Sequence, residues 1–361
     1  MTTRVIQWAT GAVGAAQLRE IIDRPDLELV GVFAYSADKV GVDAGTLVGR
    51  PPIGVRATDD KSVIYALDAD VVLHAASKGF EVNTNTDDIV GLLESGKNVI
   101  TTTSYNHLAT FGSDASERIR RACAQAGTRF HAAGEHPGFM FERLATGVTA
   151  LSQRVDRITV QEFVDCSHLA EPKMLMELMG MGKQPDEISV ASPMFRAVSL
   201  QYEQALAAAA DVLDLTFDDI RTDIAIATST HDVAVACGTL PAGSVVGQKL
   251  SWSACRDART VLVAEEYWTC TTDISEWQIP GDGRFLVRVI VEGAPSITVD
   301  LTIDNDPIPE LGGVSGGHLA VAMTAIRAIP DVLGAPPGVV VPQIFGAYRW
   351  PAPVTGTADP R

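Results

Sequence analysis

Residues 5–20 read VIQWATGAVGAAQLRE, and no other stretch constrains the fold as tightly. Val5, Ile6 and Trp8 form a short apolar run suited to a buried strand. Thr10-Gly11-Ala12-Val13-Gly14 offers a tight turn, and Ala15 to Ile22 follows with helix-compatible spacing. Strand, glycine-bearing turn and helix in that order make a phosphate cradle. The turn backbone approaches a pyrophosphate, whose charge rests on the free N–H groups of the helix N-terminus. The G-x-G-x-x-G spacing is kept, with Ala9 standing for the first glycine ahead of Gly11 and Gly14. Thr10, Gly11, Ala12, Val13 and Gly14 are therefore candidate cofactor residues. An ordinary strand-to-helix turn would look the same locally, so the context must distinguish the two.

Up to about residue 150 the context is an alternation of strand and helix patterns. Leu27–Tyr35, Asp70–Ala75, Asn98–Thr102 and Arg129–Ala133 read as strands, and 59–67, 87–94 and 113–126 as helices. Such alternation predicts an α/β fold: a Rossmann-type, doubly wound parallel sheet over residues 1–150. Beyond it the pattern changes to period 2, over 157–164, 223–236, 244–255, 260–270, 285–291 and 297–303. These runs predict a second, α+β domain over 151–311, built on a largely antiparallel sheet and interrupted by helices at 172–179 and 195–214. A sheet with a spare apolar face commonly packs on a copy of itself, which predicts a homodimer. The segment 312–361 reads as a helix followed by a Pro/Gly-rich stretch and is expected to rejoin the first domain. Its last ten or so residues read as mobile.

Composition narrows the function. The 361 residues carry a formal charge of −17 with no basic block, which argues against nucleic-acid or anionic-membrane partners. No apolar run approaches the ~20 residues of a membrane span. MTTRVIQW runs directly into the first strand, so no signal peptide is expected and a cytoplasmic location is. Cys123, Cys166, Cys237, Cys255 and Cys270 are scattered and odd in number, as in a reducing compartment. His131, Glu135 and His136 are the right residue types for a metal but lack its ligand spacing, so no metal is expected.

The second strand ends in Tyr35-Ser36-Ala37-Asp38-Lys39. An NAD site usually places an acid here for the ribose 2′-hydroxyl. Ser36 and Lys39 instead suit a 2′-phosphate, so NADP is the expected cofactor. Asp38 keeps NAD open, and Arg56 is an alternative phosphate partner. After the next strand, Ala75, Ala76 and Ser77 are small enough for a nicotinamide ribose to approach the backbone, and Thr102 ends the following strand. His74 reads as a structural histidine. Two further loops should meet the nicotinamide: Thr101–Leu108, with Tyr105, Asn106 and His107, and Gly134–Phe139, with Glu135 and His136. Glu135 and His136 would make an acid/base pair. Adjacent turn residues point different ways, however, and Pro137 biases His136 to an extended conformation.

Six stretches carry a family resemblance along nearly the whole chain: VIQWATGAVG (5–14), SADKVGVDAG (36–45), LLESGKNVITT (92–102), HPGFMFERL (136–144), MLMELMGMGKQP (174–185) and AIPDVLGAPPGV (328–339). With them the chain resembles the dihydrodipicolinate reductase-like family of 2,4-diaminopentanoate dehydrogenases and native amine dehydrogenases, in particular its actinobacterial members. The resemblance implies a nicotinamide domain, a substrate-binding and dimerisation domain, and an NAD(P)-dependent oxidoreductase acting on C=O, C=N and amine groups. The specific expectation is reductive amination of small ketones or aldehydes. Amine dehydrogenases carry a glutamate in the loop after the NVITT-like strand, where this chain has Ser104-Tyr105-Asn106-His107, and often Asn-Pro-Gly where it has His136-Pro137-Gly138. Glu135 is then the substitute acid, with Tyr105, Asn106, His107 and His136 as proton or hydrogen-bond partners. The resemblance also implies a substrate pocket lined by the element with Cys166, His168 and the methionines from Met174 on, with Glu171 a further carboxylate; Phe139, Met140 and Phe141 could close that pocket or serve as plain helix packing. A related imine or carbonyl reductase that does not use ammonia, and a nicotinamide-binding sensor without catalysis, are the competing readings.

Overall fold

The computed structural model describes residues 2–77, 85–274, 277–280, 285–304, 308 and 310–351. The tail expected to be mobile lies outside them, as do Lys78 and Gly79 beyond Ser77. The chain forms two compact units: Met1–Phe139 with Ile303–Pro342, and Met140–Thr302 with Gln343–Arg361. The sequence reading divides instead at 150 and 311 and assigns the whole tail to the first domain. The boundary in fact falls inside HPGFMFERL, and the chain returns to the second unit after Pro342.

The elements run β1 (Thr3–Trp8), α1 (Ala12–Asp23), β2 (Leu27–Phe33), α2 (Ala44–Leu47), β3 (Ala57–Thr58), α3 (Lys61–Ala66), β4 (Val71–His74), α4 (Thr86–Glu94), β5 (Asn98–Thr101), α5 (Leu108–Phe111), α6 (Ser113–Ala126) and β6 (Arg129–Ala132). A helical stretch from Met140 to Leu151 contains α7 (Thr146–Val148). There follow β7 (Arg154–Asp165), α8 (Pro193–Val212), β8 (Asp219–Thr228), β9 (Val233–Val235), β10 (Gly238–Leu240), β11 (Val245–Arg256), β12 (Arg259–Thr269), β13 (Phe285–Ala294), β14 (Ile297–Ile303), α9 (Gly316–Gly334) and β15 (Gly338–Val339).

The first unit is the expected parallel α/β sheet, of order β15-β6-β5-β4-β1-β2-β3. β4 and β5 are buried at nearly every position, as strands covered on both faces must be. On one face Val5, Leu73 and Ile100 pack with Ile21 of α1 and Ala325, Ile326, Ile329 and Val332 of α9. Each of these valine, leucine and isoleucine side chains taken from water contributes about 1.5–3 kcal/mol. After α9, Gly338 and Val339 add the short β15 beside β6.

The second unit holds a six-stranded sheet of order β14-β13-β7-β12-β11-β8. β13 runs antiparallel to β7, and β11 to both β12 and β8, while β7 and β12 run parallel. The run 223–236, expected as one strand, is two. The Ser229 hydroxyl accepts the His231 N–H at 3.2 Å and turns the chain between β8 and β9. The 172–179 helix is a π-helical segment, Lys173–Leu178. α8 lies on the sheet through aromatic stacking: Tyr202 and Trp252 rings stand 4.0 Å apart, and Trp252 Nε1 donates to Ser199 Oγ at 2.9 Å.

Candidate cofactor and active site

In a parallel sheet the ligand lies beyond the carboxyl ends of the strands, and the first unit gathers most of the candidate residues there. β1 ends at Trp8, and Ala9 turns with φ +71°. Ala9 thus adopts the left-handed conformation for which a glycine is usual, at a cost of about 1–2 kcal/mol. Gly11 caps α1 with extended backbone. A Cβ on Gly14 would lie 2.2 Å from the Ala9 carbonyl oxygen, so only glycine lets the helix start this close to the turn. Nothing stands within 4 Å of a Cβ built on Gly11, and Gly11 is exposed. The cradle is therefore closed on its strand side and open where a pyrophosphate would lie, and the residues fit a dinucleotide. The first N–H groups of α1 have no partner within the helix and suit that charge.

Lys39 Nζ donates to the Thr10 carbonyl at 2.7 Å, which puts the ammonium beside the turn. Ser36 and Asp38 are exposed, and Arg56 donates to the Gly41 carbonyl at 2.8 Å. Ala75 and Ala76 are each 9% exposed and lead to an exposed Ser77, whose carbonyl accepts from Asn85 Nδ2 at 2.9 Å. The Thr102 N–H bonds the His74 carbonyl at 2.9 Å.

The same rim holds a cluster that local sequence patterns do not reveal. Trp8 Nε1 donates to the Tyr35 hydroxyl at 2.9 Å, and that hydroxyl donates to Asp88 Oδ2 at 3.0 Å. Asp88 also pairs with Lys61, which sits over the Trp8 ring. Burial, against the Trp8 hydrogen bond, pushes the Tyr35 phenol up to about 12. His74 is fully buried against Trp8, with Nδ1 2.9 Å from the Thr101 hydroxyl, which in turn lies 2.7 Å from that of Thr103. Burial holds the His74 imidazole down at about 4, so it is neutral and structural, as its strand-end position suggested.

The chemical loops sort their residues. Tyr105 is 2% exposed, stacked on Phe111 at 4.0 Å with its hydroxyl 2.9 Å from that of Thr86. It is a packing residue, and burial raises its phenol. The His107 side chain accepts the Thr110 N–H and caps α5. Asn106 joins the two loops. Its Nδ2 donates to the Ala132 carbonyl at 3.2 Å and lies 2.7 Å from where a Cβ on Gly138 would be. Gly138 has φ +127°, so a side chain there would be both strained and obstructed. Glu135 and His136 are half-buried beside it, and the half-buried Phe139 closes the turn by donating its N–H to the Glu135 carbonyl at 3.0 Å.

In the second unit Cys166 is buried, with its thiol pushed well up by burial. His168 is largely exposed, with Nε2 3.4 Å from Asp165 Oδ2. Met174 is half-buried at the start of the π-helical segment, while Leu175, Met179 and Met181 are core. Sequence spacing missed one pair here. Glu162 and Glu266 are register partners on the parallel strands β7 and β12, so they share a face of the sheet. Glu162 is 4% exposed with Oε2 3.4 Å from the Tyr202 hydroxyl, and Glu266 Oε1 accepts from Trp268 Nε1 at 2.6 Å. No cluster of three or more acidic, histidine or cysteine side chains able to hold a metal occurs among the described residues.

Comparison with known proteins agrees with the resemblance read from the motifs. The chain is 26% identical over 348 residues to an amine dehydrogenase of Streptomyces virginiae, covering 92% of this chain and 93% of the relative. A shorter match, 41% identical over 56 residues, links 16% of the chain to 20% of a 4-hydroxy-tetrahydrodipicolinate reductase of Synechococcus elongatus. Among solved structures, an amine dehydrogenase from Mycobacterium smegmatis superposes with a TM-score of 0.68 at 18% identity, covering 95% of this chain and 97% of that one. No family model matches. Over 92% of its residues the chain is a homologue of one amine dehydrogenase, and it has the fold of another.

Proposed function

We propose that this protein catalyses nicotinamide-dependent reductive amination of small ketones or aldehydes, with NADP as the preferred cofactor. The carrying observation is the homology to an amine dehydrogenase over 92% of the chain together with a cradle that fits a pyrophosphate. These make the chain a nicotinamide-dependent oxidoreductase, and the finer statement is our reading. The bound nicotinamide would supply hydride. Thr10, Gly11, Ala12, Val13 and Gly14 would hold the pyrophosphate, Ser36 and Lys39 the 2′-phosphate, and Ala75, Ala76, Ser77 and Thr102 would give the cofactor room and backbone contacts.

The chain's own task is to stabilise the iminium cation and move protons as ammonia adds and water leaves. Glu135 is the proposed carboxylate, with His136 and Asn106 as its neighbours in the loop. His107, tied up as the α5 cap, has a lesser claim, and Tyr105 none. Phe139, Cys166, His168 and Met174 remain the proposed substrate residues. Glu135→Gln keeps the shape and removes the charge, and turnover should fall about 100-fold. Full turnover in that variant together with a comparable loss in Glu162→Gln would move the acid to the second unit.

The test of function is cofactor consumption. Protein, NADPH and a ketone panel should show loss of nicotinamide absorbance that depends on ammonium. One observation favours a second reading: the loop after β5 has no carboxylate between Ser104 and His107. Oxidation without ammonium would indicate a related imine or carbonyl reductase, and binding without turnover a sensor. Lys39→Ala should raise KM for NADP about 10-fold and for NAD less than about 2-fold. Equal losses would assign Lys39 to the turn through Thr10 rather than to the 2′-phosphate.

We also propose a cytoplasmic homodimer joined through the second sheet. No described helix is long and apolar enough to cross a membrane. On the sheet face carrying Gln161, Lys249 and Glu265, side chains interlock by polar contacts of 2.6–2.7 Å, a preformed surface for a second copy. Light scattering that finds a monomer at micromolar concentration would remove the dimer.

A further inference from the structure

We infer that Gln7 is a positioning residue for the cofactor turn, holding Ala9 in the left-handed conformation that a glycine would adopt unaided. The inference rests on the proposed reading that this turn receives a dinucleotide. Gln7 is a polar residue in the middle of an apolar strand, 0% exposed. Its Nε2 donates to the Ala9 carbonyl at 2.9 Å and to Gln17 Oε1, on α1, at 3.1 Å. Gln17 is likewise 0% exposed. The Cβ position of Gly14 lies 3.1 Å from Gln7 Nε2, so strand, turn and helix meet at this one amide.

The three turn carbonyls are fixed in succession. That of Ala9 accepts from Gln7, that of Thr10 from Lys39 at 2.7 Å, and that of Gly11 from the Ala15 N–H at 2.7 Å. With the carbonyls held, the orientation of the intervening peptide N–H groups is set as well, because each peptide unit is planar. Stability does not account for the pair. Gln7 Oε1 and Gln17 Nε2 have no hydrogen-bond partner among the described residues. A half-satisfied buried amide pair is less favourable than two apolar side chains of the same shape. Positioning of the turn explains its presence where packing does not.

The test uses the full chain with Gln7→Met, Ala9→Gly and the double variant. NADPH affinity is read by nicotinamide fluorescence, and 2′-AMP, which lacks the pyrophosphate, by calorimetry. Gln7→Met should weaken NADPH binding about 10-fold and leave 2′-AMP unchanged, which also reports that the variant is folded. Adding Ala9→Gly should restore NADPH affinity to within about 2-fold, because glycine holds the left-handed turn without help. Unchanged NADPH affinity in Gln7→Met, equal loss of 2′-AMP, or failure of Ala9→Gly to rescue would each overturn the inference. If the unaltered protein binds no nicotinamide dinucleotide, the underlying reading falls and takes the inference with it. That arm separates the two failures.

Discussion

Gly14→Ala should unfold the protein at markedly lower urea concentration and remove most of its affinity for NADPH. The added methyl would stand 2.2 Å from the Ala9 carbonyl oxygen and 2.9 Å from its carbon. Both atoms are backbone, so no side chain can swing aside. Either the start of α1 retreats or the turn reopens, and both motions break the packing around Leu18 and Ile21, which are 0% and 1% exposed. The expected loss is about 3 kcal/mol or more, at the upper end of overpacking effects. Gly11→Ala is the control. Gly11 has φ −70°, open to any residue, and its Cβ meets nothing. Stability should change by at most about 1 kcal/mol, while affinity falls because the methyl enters the space left for the pyrophosphate. Equal stability loss in both variants, or Gly14→Ala binding NADPH like the unaltered protein, would show that this turn is ordinary.

The second large effect is on the acid limb of stability. His74 titrates near 4 in the fold because burial disfavours its charged form, against an ordinary value of 6.5. Between those values the unfolded chain binds a proton that the native chain does not. Stability therefore rises with pH across this window and is lost as pH falls through it. Near pH 7 the histidine is neutral in both states and contributes no pH dependence. Below about 4 the accumulated penalty is of order 3 kcal/mol. His74→Phe should flatten the profile of unfolding free energy between pH 4 and 6.5, measured by urea titration at several pH values. An acid limb of unchanged slope would mean that other groups dominate it. Asp88 faces the same cluster and favours the charged imidazole, while Lys61 opposes it. The acid limb should therefore extend to lower pH in Asp88→Asn.

Much of the first unit is legible because its contacts are local. In VIQWATGAVG a strand, a turn and a helix start lie within a few residues, so the strand-turn-helix unit is readable there and the alternation that follows supplies its context. The alternation to residue 133 then implies a parallel sheet, since a helix between successive strands lets each strand re-enter the sheet in the same direction. The small residues after β4 and the strand-end position of His74 were readable for the same reason. The short β3 and β15 were not, because two residues carry no periodicity. Tyr105 shows the limit within a loop. A tyrosine beside an asparagine and a histidine reads as chemistry, yet packing against Phe111 and Phe130 takes its ring into the core.

The sequence by itself determined the class of fold, the strand-turn-helix unit at residues 3–23 and the kinship with amine dehydrogenases, all of which rest on residue order over short spans. Tertiary structure decided three things that order cannot express. It brought Gln7 and Gln17 together under Ala9, linking strand and helix by side chains that look incidental in the string. It built the Trp8–Tyr35–Asp88–Lys61 cluster from β1, the loop after β2, α4 and α3. It also set Glu162 beside Glu266, because β7 and β12 pair in parallel rather than as the antiparallel neighbours that period 2 suggests. Strand periodicity specifies which residues share a face of one strand. It says nothing of which strands become neighbours, and that choice, made by burial across the whole unit, places carboxylates where a short motif cannot reveal them.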